Sequence, residues 1–113
     1  MKYPQYNEYG DRLDQNGYSK SIIQTDMTCC YLCGSRTSRL DRHEVFPSSN
    51  RSKSKSLGLW VMLCHSTCHE GASGVHQNAE LARELKCKAQ EIAQNEYGWD
   101  TPEFIRRFGK NYR

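Results

Sequence analysis

The chain has 113 residues, 36% of them hydrophobic and 26% charged, and its formal net charge is +3. This length predicts a single domain, 1–113, whose small core is of the kind that a bound metal ion often stabilises. No stretch is apolar for long enough to cross a bilayer, so we do not expect a membrane-spanning protein. The mild positive charge agrees with an acidic partner such as nucleic acid without requiring one.

The N-terminal quarter, residues 1–28, is polar and tyrosine-rich, and we interpret it as an arm that wraps the rest of the domain. Within this arm, residues 21–24 predict a short strand or one helical turn. The first five residues lead into polar sequence, so we expect no signal peptide. Six cysteines without a secretory signal favour a reduced, cytoplasmic, zinc-bound protein over a secreted disulfide scaffold.

Two short cysteine pairs, about thirty residues apart, have the spacing of a tetrahedral zinc site. The glycine that closes the first pair, Gly34, is expected to take a positive φ angle. The second pair has a three-residue gap, so His69 could replace its second cysteine, and Cys29 could replace the first cysteine of the other pair. The predicted ligands of this structural zinc are Cys30, Cys33, Cys64 and Cys68.

After the first cysteine pair, the residues at 34–38 predict a turn and those at 39–46 predict a strand. We therefore interpret this part of the chain as a zinc knuckle followed by a β-hairpin. Pro47 ends the strand, because proline lacks the N–H that further pairing needs. Residues 48–56 contain no apolar side chain, and they predict a loop.

The most apolar run of the chain, residues 57–63, predicts a buried strand that leads into Cys64. Residues 69–78 contain two glycines and predict a loop. His65 lies between two of the predicted zinc ligands, and we expect its side chain to be exposed.

Two helices are predicted after this loop. Asn78 is a suitable cap for a helix over residues 79–97, whose apolar side chains recur at helical spacing, and Gly98 is a typical stop signal. Thr101 is the expected cap of a second, short helix over residues 102–108, with a proline in its first position. This short helix is expected to bury three side chains, namely Phe104, Ile105 and Phe108.

The order of these elements is knuckle, hairpin, loop, strand, second cysteine pair and helix, which is typical of a treble-clef zinc finger. The predicted fold is therefore a small α+β domain of treble-clef type, stabilised by zinc. Within it we distinguish the N-terminal arm, a zinc-binding core at 29–78 and a helical C-terminal part at 79–113.

Three segments carry a resemblance to the HNH (ββα-metal, or His-Me finger) endonuclease superfamily. They are the His-Glu-Val-Phe motif that begins at His43, the Asn50–Arg51 pair, and the Gly-Val-His-Gln-Asn segment at 74–78. In the order of a treble clef, residues 42–47 lie where HNH enzymes carry their first catalytic motif. The chain is most similar to small phage and prophage proteins of this kind, which implies a DNA endonuclease located in a bacterial cytoplasm.

The resemblance implies hydrolysis of DNA phosphodiester bonds with a second divalent ion such as Mg²⁺ or Mn²⁺. His43 is the expected base, because an imidazole titrates near neutral pH. Asp41 shares a strand face with His43 and could orient its ring or bind the ion. Glu44 could also reach the ion at the end of the strand, and His69 and His76 are the remaining candidates for contact with the ion or the phosphate.

The motif fits the HNH pattern in two registers. Alignment on Pro47 places Glu44 at the position of the base and His43 at that of a metal ligand. Alignment on His43 as the base places Arg42 where a metal ligand belongs. The middle asparagine of HNH proteins is replaced by a leucine, so another asparagine, Asn50 or Asn78, would have to serve.

Basic side chains beside the motif are candidates for contact with a phosphate backbone. They are Arg42, Arg51, Lys53 and Lys55. An alternative to the nuclease is a catalytically inactive treble-clef module that uses such side chains to bind nucleic acid, or that binds a protein partner instead.

Overall fold

The computed structural model of the protein describes residues 5–71 and 74–113. Two small antiparallel sheets combine with helices in these residues, which confirms the predicted α+β class. No helix in the described ranges is both long enough and apolar enough to cross a membrane. The elements are β1 (Gln5–Tyr6), β2 (Arg12–Leu13), β3 (Leu40–Glu44), α1 (Arg51–Ser56), β4 (Trp60–Cys64), α2 (Ala79–Tyr97) and α3 (Thr101–Phe108).

Strands β3 and β4 form the antiparallel pair on which the site is built. Their register places Asp41 opposite Leu63 and His43 opposite Val61. Because side chains alternate along a strand, Asp41 and His43 lie on one face while Glu44 lies on the other. On that face, the Glu44 carboxylate accepts a hydrogen bond from the Tyr18 hydroxyl.

The predicted β-hairpin after the knuckle is wrong in its pairing. Strand β3 ends at Glu44, two residues before the predicted end, and it pairs with β4 rather than with the knuckle. The knuckle is tied to β4 by a backbone hydrogen bond, in which the Tyr31 N–H donates to the Met62 carbonyl at 2.8 Å. The apolar run at 57–63 starts as a turn at Gly58, so the buried strand is shorter than predicted.

The segment predicted as a loop, 48–56, is wrong as well, because it forms a short 3₁₀ turn followed by α1. The reason is one buried serine. The Ser54 hydroxyl donates to the Phe46 carbonyl at 3.0 Å and accepts from the Phe46 N–H at 2.9 Å. The polar helix α1 is therefore held against the core by Ser54. The polarity of this residue alone would predict an exposed position.

Helix α2 has the bounds that its sequence signals predict. The Asn78 side chain accepts a hydrogen bond from the Leu81 N–H at 3.1 Å, and Gly98 ends the helix with a φ of 71°. The side chains that face the core are Leu85, Ala89, Gln90 and Ala93.

Helix α3 is also present, with two corrections. It begins at Thr101, and the capping side chain is Asp100, which accepts from the Glu103 N–H at 2.9 Å. Ile105 is not buried as predicted but 38% exposed. The buried side chains, Phe104 and Phe108, lie four residues apart on one face of the helix.

The core below the strand pair is aromatic. Phe46 contacts three rings, with centroid distances of 4.9 Å to Phe108, 5.2 Å to Tyr112 and 5.6 Å to Phe104. These contacts join the end of β3 to α3 and to the C-terminal residues. This aromatic packing therefore holds the strand that carries His43 in place.

The N-terminal segment lies along β4. The Ser21 hydroxyl donates to the Trp60 carbonyl at 2.7 Å, and the Gln24 side chain accepts from the Met62 N–H at 2.8 Å. Residues 21–24 are irregular, so the predicted strand or helical turn is absent there. Residues 1–4 of the predicted arm lie outside the described residues.

Candidate metal centres

The four predicted zinc ligands come together at the end of β4. Their sulfur atoms all lie within 4.8 Å of one another, and those of Cys33 and Cys64 are 3.7 Å apart. A tetrahedral zinc with Zn–S bonds of about 2.3 Å requires sulfur atoms about 3.8 Å apart. This group of Cys30, Cys33, Cys64 and Cys68, here called the sulfur cluster, therefore has the donors and the spacing to hold a zinc ion.

Backbone N–H groups within each pair point at sulfur atoms. The Cys33 N–H donates to the Cys30 Sγ at 3.5 Å, and the Cys68 N–H donates to the Cys64 Sγ at 3.4 Å. Gly34 completes the first turn with a φ of 76°, which confirms the predicted positive angle. Both pairs are thus held as tight turns, in which each sulfur keeps its direction towards the others.

The thiols of the sulfur cluster have strongly perturbed pKa values. Hydrogen bonds with the Thr67 hydroxyl and from the Cys68 N–H lower the pKa of Cys64 to about 6. Burial and the neighbouring Cys64 sulfur raise the pKa of Cys68. Four thiols this close cannot all ionise without a cation, and the thiolate is the form that binds metal. The donor set therefore fits a divalent ion such as zinc.

The two alternative ligands lie outside the sulfur cluster. The Cys29 thiol donates to the Asp26 carbonyl at 3.8 Å instead. His69 belongs to a second group of side chains on the other side of the Cys64–His69 segment. This segment forms a single wide turn at His65–His69, which carries Cys68 to the sulfur cluster and His69 away from it.

Three histidines converge beside β3. The ring nitrogens of His43, His69 and His76 lie within 4.8 Å of one another, and the Nε2 atoms of His69 and His76 are 2.9 Å apart. This contact is a hydrogen bond between the two rings, and a tetrahedral ion with metal–nitrogen bonds of about 2.0–2.1 Å would require these nitrogens to separate to about 3.3 Å. This group, here called the histidine cluster, fits a divalent ion that prefers imidazole ligands.

The Asp41 carboxylate orients His69, one of the three rings of the histidine cluster. The Asp41 Oδ2 atom accepts from the Nδ1–H of His69 at 2.9 Å and from the Nδ1–H of His65 at 2.5 Å. Partial burial raises the pKa of Asp41, but the hydrogen bonds from both histidines outweigh this and lower it overall. A proton on His69 Nδ1 leaves Nε2 as the lone-pair donor, which is the arrangement of a carboxylate–histidine–metal triad.

His43 is the most buried member of the histidine cluster, with 9% of its surface exposed. Its ring contacts His69 and His76 edge to face, at centroid distances of 5.3 and 5.4 Å. The pKa of His43 is lowered to about 4, chiefly because burial disfavours the charged ring, and the other two histidines add to the effect. The ring is therefore neutral at pH 7 and can bind a metal or accept a proton. Contrary to the expectation from the sequence, it does not titrate near neutral pH, so it is a weaker base than an ordinary imidazole.

The histidine cluster opens on a cleft of about 350 Å³, whereas the sulfur cluster does not line it. On the cleft wall, the Arg51 Nε atom lies 2.8 Å from the Glu44 Oε1 atom, and the Tyr18 hydroxyl donates to the other oxygen. Glu44 thus lies in the cleft but outside the histidine cluster. The complete lining is Tyr18, Arg42, His43, Glu44, Pro47, Ser48, Arg51, His69 and His76.

Two of the four basic candidates line the cleft. Arg42 lines the cleft together with Arg51, and it pairs with Asp14 at 3.1 Å. Lys53 donates to the Arg107 carbonyl, and the Lys55 ammonium lies 4.8 Å from the Tyr18 ring centroid. The structure therefore brings two of these four cations to the histidine cluster.

Each candidate asparagine uses one atom of its side-chain amide in a hydrogen bond that supports the fold. The Asn50 Nδ2 atom donates to the Phe108 carbonyl at 2.9 Å. The Asn78 Oδ1 atom accepts the capping hydrogen bond of α2. Each amide therefore has a structural role.

Sequence reasoning missed two side chains near the cleft. His65 is not exposed as expected, since it is about one-third accessible and bonded to Asp41. Tyr18 lies on the cleft wall although the N-terminal segment showed no functional signal. Both contacts are long-range in the chain, and only the tertiary fold creates them.

Three comparisons with known proteins place no further constraint on this arrangement. No protein-family model, no curated protein and no solved structure matches the chain significantly.

Proposed function

We propose that the chain is a metal-dependent DNA endonuclease of HNH type, with a treble-clef fold stabilised by zinc in the sulfur cluster. The observation that supports this most is the convergence of His43, His69 and His76 at an open cleft. Three imidazoles with a buttressing carboxylate form a catalytic type of metal site, because they leave ligand positions for water or substrate.

Each histidine has a distinct role in the proposal. His69 and His76 hold the ion through Nε2 atoms 2.9 Å apart, and Asp41 fixes the orientation of His69. His43, which is neutral and buried, accepts the proton of the attacking water. A bound divalent ion would supply positive charge to the phosphoryl oxygens.

The cleft wall supplies the remaining charge. Arg51 reaches the cleft while paired with Glu44, so we assign Glu44 the role of positioning Arg51. The pairing of Glu44 with Arg51 favours His43 over Glu44 as the base. It therefore favours the alignment on His43, which places Arg42 where HNH proteins carry a metal ligand. Arg42 and Arg51 provide the donors for a phosphate group.

Nicking of supercoiled plasmid tests the proposal. Zinc-loaded protein is incubated with plasmid and added Mg²⁺, Mn²⁺ or Ni²⁺, and we expect nicking that requires the added ion. His43→Ala should reduce the rate by at least about 100-fold, whereas Gln77→Ala, an exposed neighbour of the histidine cluster, should nick normally. Absence of nicking with all three ions, or equal nicking by His43→Ala, would refute the endonuclease.

A second candidate function is an inactive treble-clef module that binds nucleic acid or a protein. The engaged amides of Asn50 and Asn78 favour it, because the asparagine of HNH proteins then has no counterpart. This candidate predicts a DNA gel shift that weakens with salt, without cleavage under any ion. A protein partner alone predicts no shift.

A further inference from the structure

A second basic surface lies on the helical side of the molecule. The first half of α2 and the C-terminal residues enclose a groove of about 490 Å³, here called the α2–tail groove. Every charged side chain that lines it is basic. These four side chains are Arg83, Lys86, Lys110 and Arg113.

The α2–tail groove is held in shape by a buried glutamine. Gln90 is fully buried in α2, accepts from the Tyr112 N–H at 2.7 Å and donates to the Asn111 side chain at 2.9 Å. The chain end is thus fixed on α2, so that Lys110 and Arg113 face the helix as parts of a built surface.

An aromatic ring lies among the cations. The ammonium groups of Lys86 and Lys110 lie 5.6 and 5.5 Å from the centroid of the Tyr112 ring, which itself packs on Phe46. Cations held over a fixed ring lose less freedom when they bind an anion than cations on free side chains do.

The α2–tail groove reaches towards the histidine cluster. Ala79, the first residue of α2, lines the groove, and His76 of the histidine cluster lies three residues before it in the chain. The same helix begins directly after the segment that carries His76. A polyanion in the groove would therefore extend towards the cleft.

We propose that the α2–tail groove binds the phosphate backbone of DNA and leads it to the histidine cleft. The inference rests on the proposed function for the choice of DNA. It identifies the substrate as a polymer that spans several phosphates, because a small phosphate ester in the cleft would not reach the four cations.

Binding is measured by fluorescence anisotropy of a labelled DNA duplex with the zinc-loaded full chain, without added Mg²⁺ or Mn²⁺. The test variant is Arg83→Gln with Lys110→Gln. The control, Arg12→Gln with Lys20→Gln, removes the same charge from exposed positions in the N-terminal segment. Circular dichroism and zinc content verify that both variants fold.

We expect the test variant to bind about 10-fold more weakly or worse, and the slope of log Kd against log salt to fall by about 2. The control should keep the wild-type slope. An unchanged slope for the test variant, an equal loss in the control, or a wild type that does not bind DNA would overturn the inference.

Cleavage separates this inference from the proposed function. The test variant should cleave plasmid poorly but hydrolyse the small diester bis(p-nitrophenyl) phosphate at the wild-type rate. Plasmid cleavage by the test variant at the wild-type rate would overturn the inference alone. A third outcome is that the wild type binds DNA in a salt-sensitive way, the test variant loses this binding, and neither protein cleaves plasmid. That outcome would support DNA binding by the groove and refute the nuclease.

Discussion

The sulfur cluster and the histidine cluster share one segment of chain but differ in their surroundings. The sulfur cluster is closed, because four ligands meet and backbone N–H groups point at two of the sulfurs. The histidine cluster has three imidazoles, of which His69 and His76 are the proposed ligands, and it opens on the cleft. Closed sites with four ligands are typical of structural zinc, whereas catalytic sites keep a position open.

This contrast shows how a small domain can separate stability from chemistry. The wide turn at His65–His69 contributes Cys68 to one cluster and His69 to the other. Gly71 and Gly74 pack so closely on this turn that an added Cβ atom would lie 2.5 and 2.6 Å from the Thr67 carbonyl oxygen. Zinc in the sulfur cluster would therefore set the position of His69 as well.

The largest effect should come from breaking the sulfur cluster. Cys64→Ser should abolish zinc binding and unfold the domain, because structural zinc contributes about 10–16 kcal/mol in small sites. Zinc is measured by elemental analysis, and folding by circular dichroism with and without a chelator.

Cys29→Ser is the matched control for that change, since Cys29 is adjacent in sequence to Cys30 but bonded to Asp26. It should keep one zinc ion per chain. Loss of zinc in Cys29→Ser, or a folded and zinc-free Cys64→Ser, would contradict the assignment of the ligands.

The next largest effect should come from opening the histidine cluster. His69→Ala should keep the zinc and the fold but lose measurable Mn²⁺ binding in calorimetry, because it removes a ligand and breaks the contact with Asp41. Exposed Gln77→Ala should bind Mn²⁺ as the wild type does. If His69→Ala lost its zinc instead, His69 would belong to the sulfur cluster.

A smaller effect on Mn²⁺ binding is expected from changing Asp41. Asp41→Asn should weaken Mn²⁺ binding by about 10–100-fold, as is usual when the partner of a metal-bound histidine is changed. Asp14→Asn, which breaks the pair with Arg42, is the control and should leave the Mn²⁺ affinity unchanged. Equal affinity in Asp41→Asn and the wild type would remove Asp41 from the site.

The smallest effect should come from the cleft wall. Tyr18→Phe removes the hydrogen bond to Glu44 and should lower the free energy of unfolding by about 1 kcal/mol at pH 7. Burial and that hydrogen bond raise the pKa of Tyr18 from 10.0 to about 12. A raised pKa in the folded state means that the stabilisation is complete below pH 10 and is lost as the pH rises through 12.

Urea denaturation at several pH values checks this prediction, with Tyr6→Phe at an exposed position as the control. The difference between the wild type and Tyr18→Phe should shrink above pH 10. A difference that grows with pH would show that the phenol is not bonded to the carboxylate in the folded protein.

Local signals predicted the elements whose causes are local. Helix α2 has its cap and its terminal glycine in the sequence, and the cysteine spacing indicated the sulfur cluster. Helix α1 was missed because its anchor, Ser54, depends on a hydrogen bond with Phe46 that only the fold provides. The histidine cluster was not predicted as a unit, since strand β3 had to meet a turn more than twenty residues away.

Anomalous diffraction from a crystal of the zinc-loaded protein soaked with Mn²⁺ tests the two-cluster account most directly. The account predicts zinc bound by the four sulfur atoms, and manganese bound by the Nε2 atoms of His69 and His76 beside His43. Manganese at any other position, or a zinc ion that His69 ligates in place of Cys68, would contradict the account.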